Sequence, residues 1–300
     1  MLVNGWARVL AWASLATEII IVGTGGSVRL TASGLGCPAW PQCTPGSLVP
    51  TPELGFHALV EFSNRMMSGV VAIVALLTFL FLLRYRKSRP ELFWLSLSLG
   101  ILVLVQAGIG GITVLSDLES YIVGLHFVLS AIMVVLAAWL VWSVHLPAER
   151  IAPMTGWVHR LAWITAALAA ITVVVGILTT GSGPHAGDLG TPRNGLPTEI
   201  MEHVHAWPAY ALFALTIILV FAAWRPGATV TRYFALWLLG AEFLQIAVGL
   251  YQSRNGLPPL AVGVHMVLAC MLLAAVAAVV LSTTRPRRAA PARNGGLNGS

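Results

Sequence analysis

The amino-acid sequence predicts an all-α integral membrane protein, with eight transmembrane helices arranged as two duplicated four-helix bundles. Three observations carry that expectation. Only 9% of the 300 residues are charged and 57% are apolar, with a mean hydropathy of +0.84; a soluble domain carries about 25% charged residues. Apolar runs long enough to cross a bilayer recur at 8–28, 58–83, 91–113, 121–143, 158–179, 200–222, 231–252 and 260–282. Finally, "IVGLHFVLSAIM" (122–133) and "AVGVHMVLACML" (261–272) each place one histidine, His126 or His265, near the start of an apolar run. Each histidine follows an intramembrane glutamine, Gln106 or Gln245, by 20 residues. Matched order and spacing over this length point to an internal duplication. The expected divisions are 1–150, 151–284 and a basic, disordered cytoplasmic tail over 285–300.

The basic residues orient the spans. Arg8, the cluster Arg84, Arg86, Lys87 and Arg89, then Arg150, Arg160, Arg225, Arg232 and the tail from Arg285 all fall on one side. The opposite loops hold Arg29, Arg193 and Arg254 beside five acidic residues. This predicts a multi-pass plasma-membrane protein with both termini cytoplasmic. The net charge of +6 follows from that topology and from a tail facing anionic lipid, so it implies no nucleic-acid partner.

Taken in order, the first span has Arg8 and an apolar core like a signal peptide, but it lacks a small-residue cleavage pattern and ends in "GTGGS". It reads as an uncleaved helix, and with no Gly-Lys-Ser/Thr following, the glycines are not a phosphate loop. The loop over 29–56 is the longest on the outer side and contains "CPAWPQC". Cys37 and Cys43, with two prolines between them, suit a small disulfide ring in an oxidising compartment; the alternative is a metal or thiol-redox pair. Cys270, inside the eighth span, reads as a small core residue.

The second span opens with "FHALVEFSNRMMSG", which puts Glu61, Asn64 and Arg65 in or at the edge of an apolar helix. Ionisable residues at that depth are costly and mark function or a paired contact; the structural alternative is a Glu61–Arg65 pair closing a helix contact. In the second half "EIMEHVHAWPAY" (199–210) sets Glu202-x-x-His205 where the first has Glu61-x-x-Asn64. The separations agree, 62 residues from Asn64 to His126 and 60 from His205 to His265. Each half thus offers two polar side chains at one depth on its second and fourth helices, a site for a planar metal macrocycle.

His205 and His265 read as a bis-histidine pair on haem iron; zinc would want further ligands. His126 has Asn64 opposite it, and His57 lies two turns nearer the outside. One half therefore suits a permanent redox cofactor, and the other a more open iron site beside the carboxylate of Glu61, fitted to an exchangeable substrate.

With these features the chain resembles the haem A synthase family, in an actinobacterial-like form. The resemblance spans nearly the whole chain: two four-helix halves, the outer-loop cysteines Cys37 and Cys43, the Glu61–Arg65 motif of the second helix, and His126, His205 and His265. Asn64 departs from it, standing where many members carry a histidine. The resemblance implies haem b held by His205 and His265, and haem O bound near His126, Asn64 and Arg65. The implied reaction oxidises a ring methyl of haem O to a formyl group by successive hydroxylations. Glu61 is the expected catalytic residue, stabilising a cationic intermediate or deprotonating water. Arg65 and Arg29 are the expected propionate partners. A haem O synthase and a second copy of the chain are the protein partners to consider. Two other classes compete: a di-haem cytochrome b-like, quinol-linked carrier, which would want a second histidine pair, and a haem transporter or chaperone, which would want a soluble handover domain.

Overall fold

The computed structural model describes residues 3–146, 151–153, 156–226 and 228–286. Eight helices account for nearly all of it: α1 (Gly5–Leu30), α2 (Gly55–Leu82), α3 (Pro90–Leu115), α4 (Ser120–His145), α5 (Trp157–Ser182), α6 (Thr198–Ala222), α7 (Thr229–Arg254) and α8 (Pro259–Ser282). All are long and apolar enough to cross a membrane, so the chain is a multi-pass membrane protein. At 1.5 Å per residue the shortest, α8 with 24 residues, spans about 36 Å, more than the roughly 30 Å of hydrocarbon.

The helices extend the apolar runs by one to three residues at most ends, and flanking residues start several of them. The Asn4 side chain accepts the Trp6 N–H, and Glu119 accepts those of Tyr121 and Ile122. Pro90 and Pro259 occupy first-turn positions, where a missing N–H costs nothing. Pro208 stands inside α6, three residues past His205, and takes away the backbone bond to Val204. One departure from the all-helical expectation is a three-residue antiparallel pair, β1 (Ile151–Pro153) with β2 (Thr284–Pro286), which joins the entry to α5 with the exit from α8. The predicted basic tail lies, from residue 287 on, outside the described residues.

The packing order is that of two rings. Helix α1 touches α2, α2 touches α3, α3 touches α4, and α4 returns to α1; α5 to α8 close in the same way. The rings meet where α4 packs on α5 and α8, and α1 on α8. Helix α4 therefore faces both, and its buried Ser130, Ala131, Ala137 and Ala138 allow the close approach that membrane helices rely on in place of a hydrophobic driving force.

At the end carrying the cysteine loop, the rings are also tied through backbone. Arg29 donates to the carbonyls of Thr180 (2.9 Å) and His185 (2.7 Å), and the Gly34 N–H donates to Gly187 (2.8 Å). At the other end Arg89 pairs with Glu91 and donates to the carbonyls of Ser143 and Leu146, taking up acceptors that the end of α4 leaves open.

Candidate functional site

Helices α6 and α8 are opposite corners of the second ring, and His205 and His265 meet across it, their ring centres 6.2 Å apart and their planes at 82°. Two imidazoles on one metal, with bonds of about 2.0–2.1 Å and about 1.1 Å from nitrogen to ring centre, have centres about 6.3 Å apart. His205 Nδ1 lies 3.1 Å from the carbonyl oxygen of Thr172. A carbonyl only accepts, so Nδ1 carries the hydrogen and Nε2 keeps its lone pair free for a metal. His265 Nδ1 is buried, and the ring lies beside the backbone of Gln245 on α7.

Each ring leans on a glycine. A Cβ on Gly176 of α5 would stand 2.8 Å from Cε1 of His205, and one on Gly249 of α7 would stand 3.4 Å from Cε1 of His265. Gly110 of α3 serves His126 in the same way, at 3.2 Å. The sequence reading missed these cradles, although a signal was present: Gln106-x-x-x-Gly110 and Gln245-x-x-x-Gly249 stand at equal distances before the two histidines. The glutamine of the first pair braces α4, its Nε2 donating to the His126 carbonyl (3.1 Å) and the Ser130 hydroxyl (2.6 Å).

The difference between the glycines is testable. Gly176→Ala forces the His205 ring off its seat, at an overpacking cost of about 1–3 kcal/mol. We expect affinity for added iron porphyrin to fall at least about tenfold, as when a ligand's support is lost, while Gly249→Ala, at ordinary contact distance, changes it little. Equal affinities for both variants and the wild type, by optical titration, would show that the cradle positions nothing.

In the first ring the structure brings fewer groups together. His126 is partly buried, and its Nδ1 is without a hydrogen-bond partner among the described residues. Asn64 is turned to α1: its Oδ1 accepts the Thr24 hydroxyl at 2.7 Å and lies beside Gly25. His57 is held by the Ser33 hydroxyl at 3.0 Å.

Glu61 and Arg65 are joined by an ion pair at 2.5 Å, one helical turn apart, and both engage the cysteine loop. Cys37 and Cys43 form a disulfide with Cα atoms 4.4 Å apart. The Cys37 N–H donates to Glu61 Oε2 at 2.7 Å. Arg65 gives its remaining N–H groups to the carbonyls of Cys37, Ala39, Pro41 and Gln42, so none of its five donors is spare for a propionate in this conformation. Arg29, the other expected propionate partner, is likewise taken up by Thr180 and His185. The loop presses on both neighbouring helices. Gly36 lies on the backbone of His57 and Ala58, where a Cβ would come within 2.5 Å, and Trp40 lies as close on Gly111 of α3, next to the glycine that cradles His126.

Fold and site together define a class: a polytopic membrane protein with two histidines opposed across a ring of four helices. Residues 8–187 match the COX15-CtaA family model, cytochrome oxidase assembly protein, and the chain belongs to that family. The match ends before α6, but relatives extend the similarity over the histidine pair. The "Heme A synthase" of Lysinibacillus sphaericus (strain C3-41) is 27% identical over 299 residues, covering 93% of this chain and 96% of its own length. That of Symbiobacterium thermophilum is 28% identical, covering 81% and 84%. That of Listeria monocytogenes serotype 4a (strain HCC23) is 25% identical, covering 89% and 92%.

Proposed function

We propose that this protein is a haem A synthase, a membrane oxidoreductase that converts a ring methyl of haem O into a formyl group, with haem b held by His205 and His265. The observation that carries the reading is the separation of those two rings, 6.2 Å between centres, with a cradling glycine behind each. Two imidazoles alone fall short of a closed four-ligand site, and a porphyrin would bring the further nitrogens. Haem b bound there would supply one-electron redox chemistry.

The chain's own residues divide the remaining work. His205 keeps the tautomer that binds metal because Thr172 holds its Nδ1–H. His126 offers an imidazole to the substrate iron from α4, and Gln106 fixes the turn of helix that bears it. Asn64, engaged by Thr24, leaves the opposite side less filled, which suits a substrate that must arrive and leave. Glu61 stands between Arg65 and the Cys37 N–H, placed to take the proton of a water that adds oxygen to the methyl carbon. Arg65 would reach a propionate by giving up loop carbonyls. Each hydroxylation by water removes two electrons and two protons from the substrate, electrons that haem b would pass one at a time to an external one-electron acceptor; two such steps on one carbon give a gem-diol, and loss of water gives the aldehyde. Both termini are placed on the cytoplasmic side by the distribution of Arg and Lys.

Expression in cells that make haem O but lack a haem A synthase tests the reading. We expect haem A to accumulate and the purified protein to carry haem b with traces of haem O or A. Recovery of haem b alone, with no conversion, would support an electron carrier instead.

A further inference from the structure

We propose that Glu242 of α7 is the proton acceptor coupled to the redox state of the His205–His265 site, an inference that rests on the reading of that pair as iron ligands. Glu242 lies halfway along α7 and is 3% exposed. Its Oε1 accepts the Thr216 hydroxyl at 2.7 Å, and its Oε2 is buried with no hydrogen-bond partner among the described residues. Burying a carboxyl at mid-membrane depth with one oxygen unmatched is costly, more than a single hydrogen bond between α6 and α7 offsets.

Its position supplies the reason. Glu242, Gln245 and Gly249 follow at i, i+3 and i+7, one stripe of the helix. Gly249 touches the His265 ring, and Gln245, one turn below, also has an unmatched buried oxygen. Seven residues set Glu242 about 10 Å further along the helix axis than Gly249. The stripe thus runs from the histidine pair to the acid through polar groups with free acceptor capacity. In the first ring the residue three before the matching glutamine is Val103, buried and apolar. At this position of the repeat the acid belongs only to the half with two histidines; the buried Glu18 of the first half stands on α1 instead.

No cation compensates it. Helix α7 packs on α6 and α8, and neither carries Lys or Arg. The titratable groups of α6 are Glu199, Glu202 and His203 near its loop end, His205, and the half-exposed Tyr210. Those of α8 are His265 and Cys270, the latter beside Glu18 of α1. On α7 itself, Arg232 and Tyr233 are about three turns away toward one end, and Tyr251 and Arg254 a similar distance toward the other. An electron added between the histidines therefore meets low dielectric and no balancing positive charge except a proton. The balance is one electron from a one-electron donor to the metal and one proton from water to Oε2 of Glu242, turning carboxylate into carboxyl. Reoxidation releases both.

The test uses the full-length protein loaded with haem b, titrated optically at several pH values with dithionite as reductant. For the wild type the midpoint potential falls as pH rises. In Glu242→Gln the spectrum is kept and that slope is lost, and the reduced-minus-oxidised infrared spectrum loses a carboxyl carbonyl band that the wild type shows. Equal slopes and equal infrared bands in a loaded wild type and variant overturn the inference alone. A wild type that takes up no iron porphyrin overturns the reading of the histidine pair as well. Should Glu242→Gln fail to accumulate, Thr216→Val decides: the pH at which the potential bends must move when the hydroxyl is removed, and an unmoved bend refutes the role of Glu242.

Discussion

Replacing His205 or His265 with alanine is expected to remove the low-spin haem b signature while leaving a membrane-inserted, eight-helix protein. On the proposed function the two imidazoles, opposed across the interior of the second ring of helices, would both be needed to hold the haem. A single substitution leaves the iron with one imidazole, so the optical and redox signature of a bis-histidine haem is lost in either variant. The helices have independent reasons to form, in apolar length, capping and packing, and the disulfide loop belongs to the other ring. Reduced-minus-oxidised spectra, with haem b counted per protein, check the prediction. A double variant with an unaltered low-spin spectrum would place the cofactor elsewhere.

The second large effect concerns Glu61. Glu61→Gln preserves the shape of the side chain and one acceptor for the Cys37 N–H, but weakens the charge pairing with Arg65. With Glu61 as the base, haem A per unit of haem b should drop by a factor of about 10²–10⁴, the usual worth of a positioned acid–base group, with haem b content and haem O binding retained. The hydroxylated intermediate is expected to accumulate in a partial block. A carboxylate that serves only to hold the loop gives another result. Breaking a buried pair costs about 3–5 kcal/mol, so protein yield and haem b would fall together while conversion per haem stayed near normal.

How far the sequence disclosed this arrangement depended on whether the signal was local. The spans were legible because apolar length is a property of a continuous segment, and their ends differed by no more than three residues, in part where Asn4, Glu119, Pro90 and Pro259 start the helices. The meeting of His205 and His265 was legible from equal spacings in the two halves. The cysteine pair was readable as a disulfide, with the alternatives left open until the bond was seen. The partners of Arg29 and Arg65 were not legible. Both looked like free cations for a propionate, yet Arg65 is committed to carbonyls of the cysteine loop and Arg29 to the last turn of α5 and the loop after it. Which carbonyls come near a guanidinium depends on the path of an irregular loop, and no periodicity encodes that. The cradling glycines failed for another reason. Small residues are common in membrane helices, so Gly110, Gly176 and Gly249 did not stand out until the imidazoles were seen against them.

The backbone ties between the two rings bear on which motions the molecule can make. A carrier working by alternating access rocks one bundle against the other about a central site, and its two mouths must separate in turn. Here the mouth at the cysteine-loop end is clasped shut: Arg29 reaches from α1 into the far ring at Thr180 and His185, and Gly34 is bonded to Gly187. These contacts end on main chain, so a change of rotamer on the accepting side does not release them. Helix α4 is a party wall shared by both rings, and sliding it would disturb two interiors at once. The assembly is therefore a fixed frame rather than a rocker. On the proposed function a bulky, lipid-soluble substrate would enter sideways between helices of the first ring, past the loop of residues 37–43 that Glu61 and Arg65 hold down.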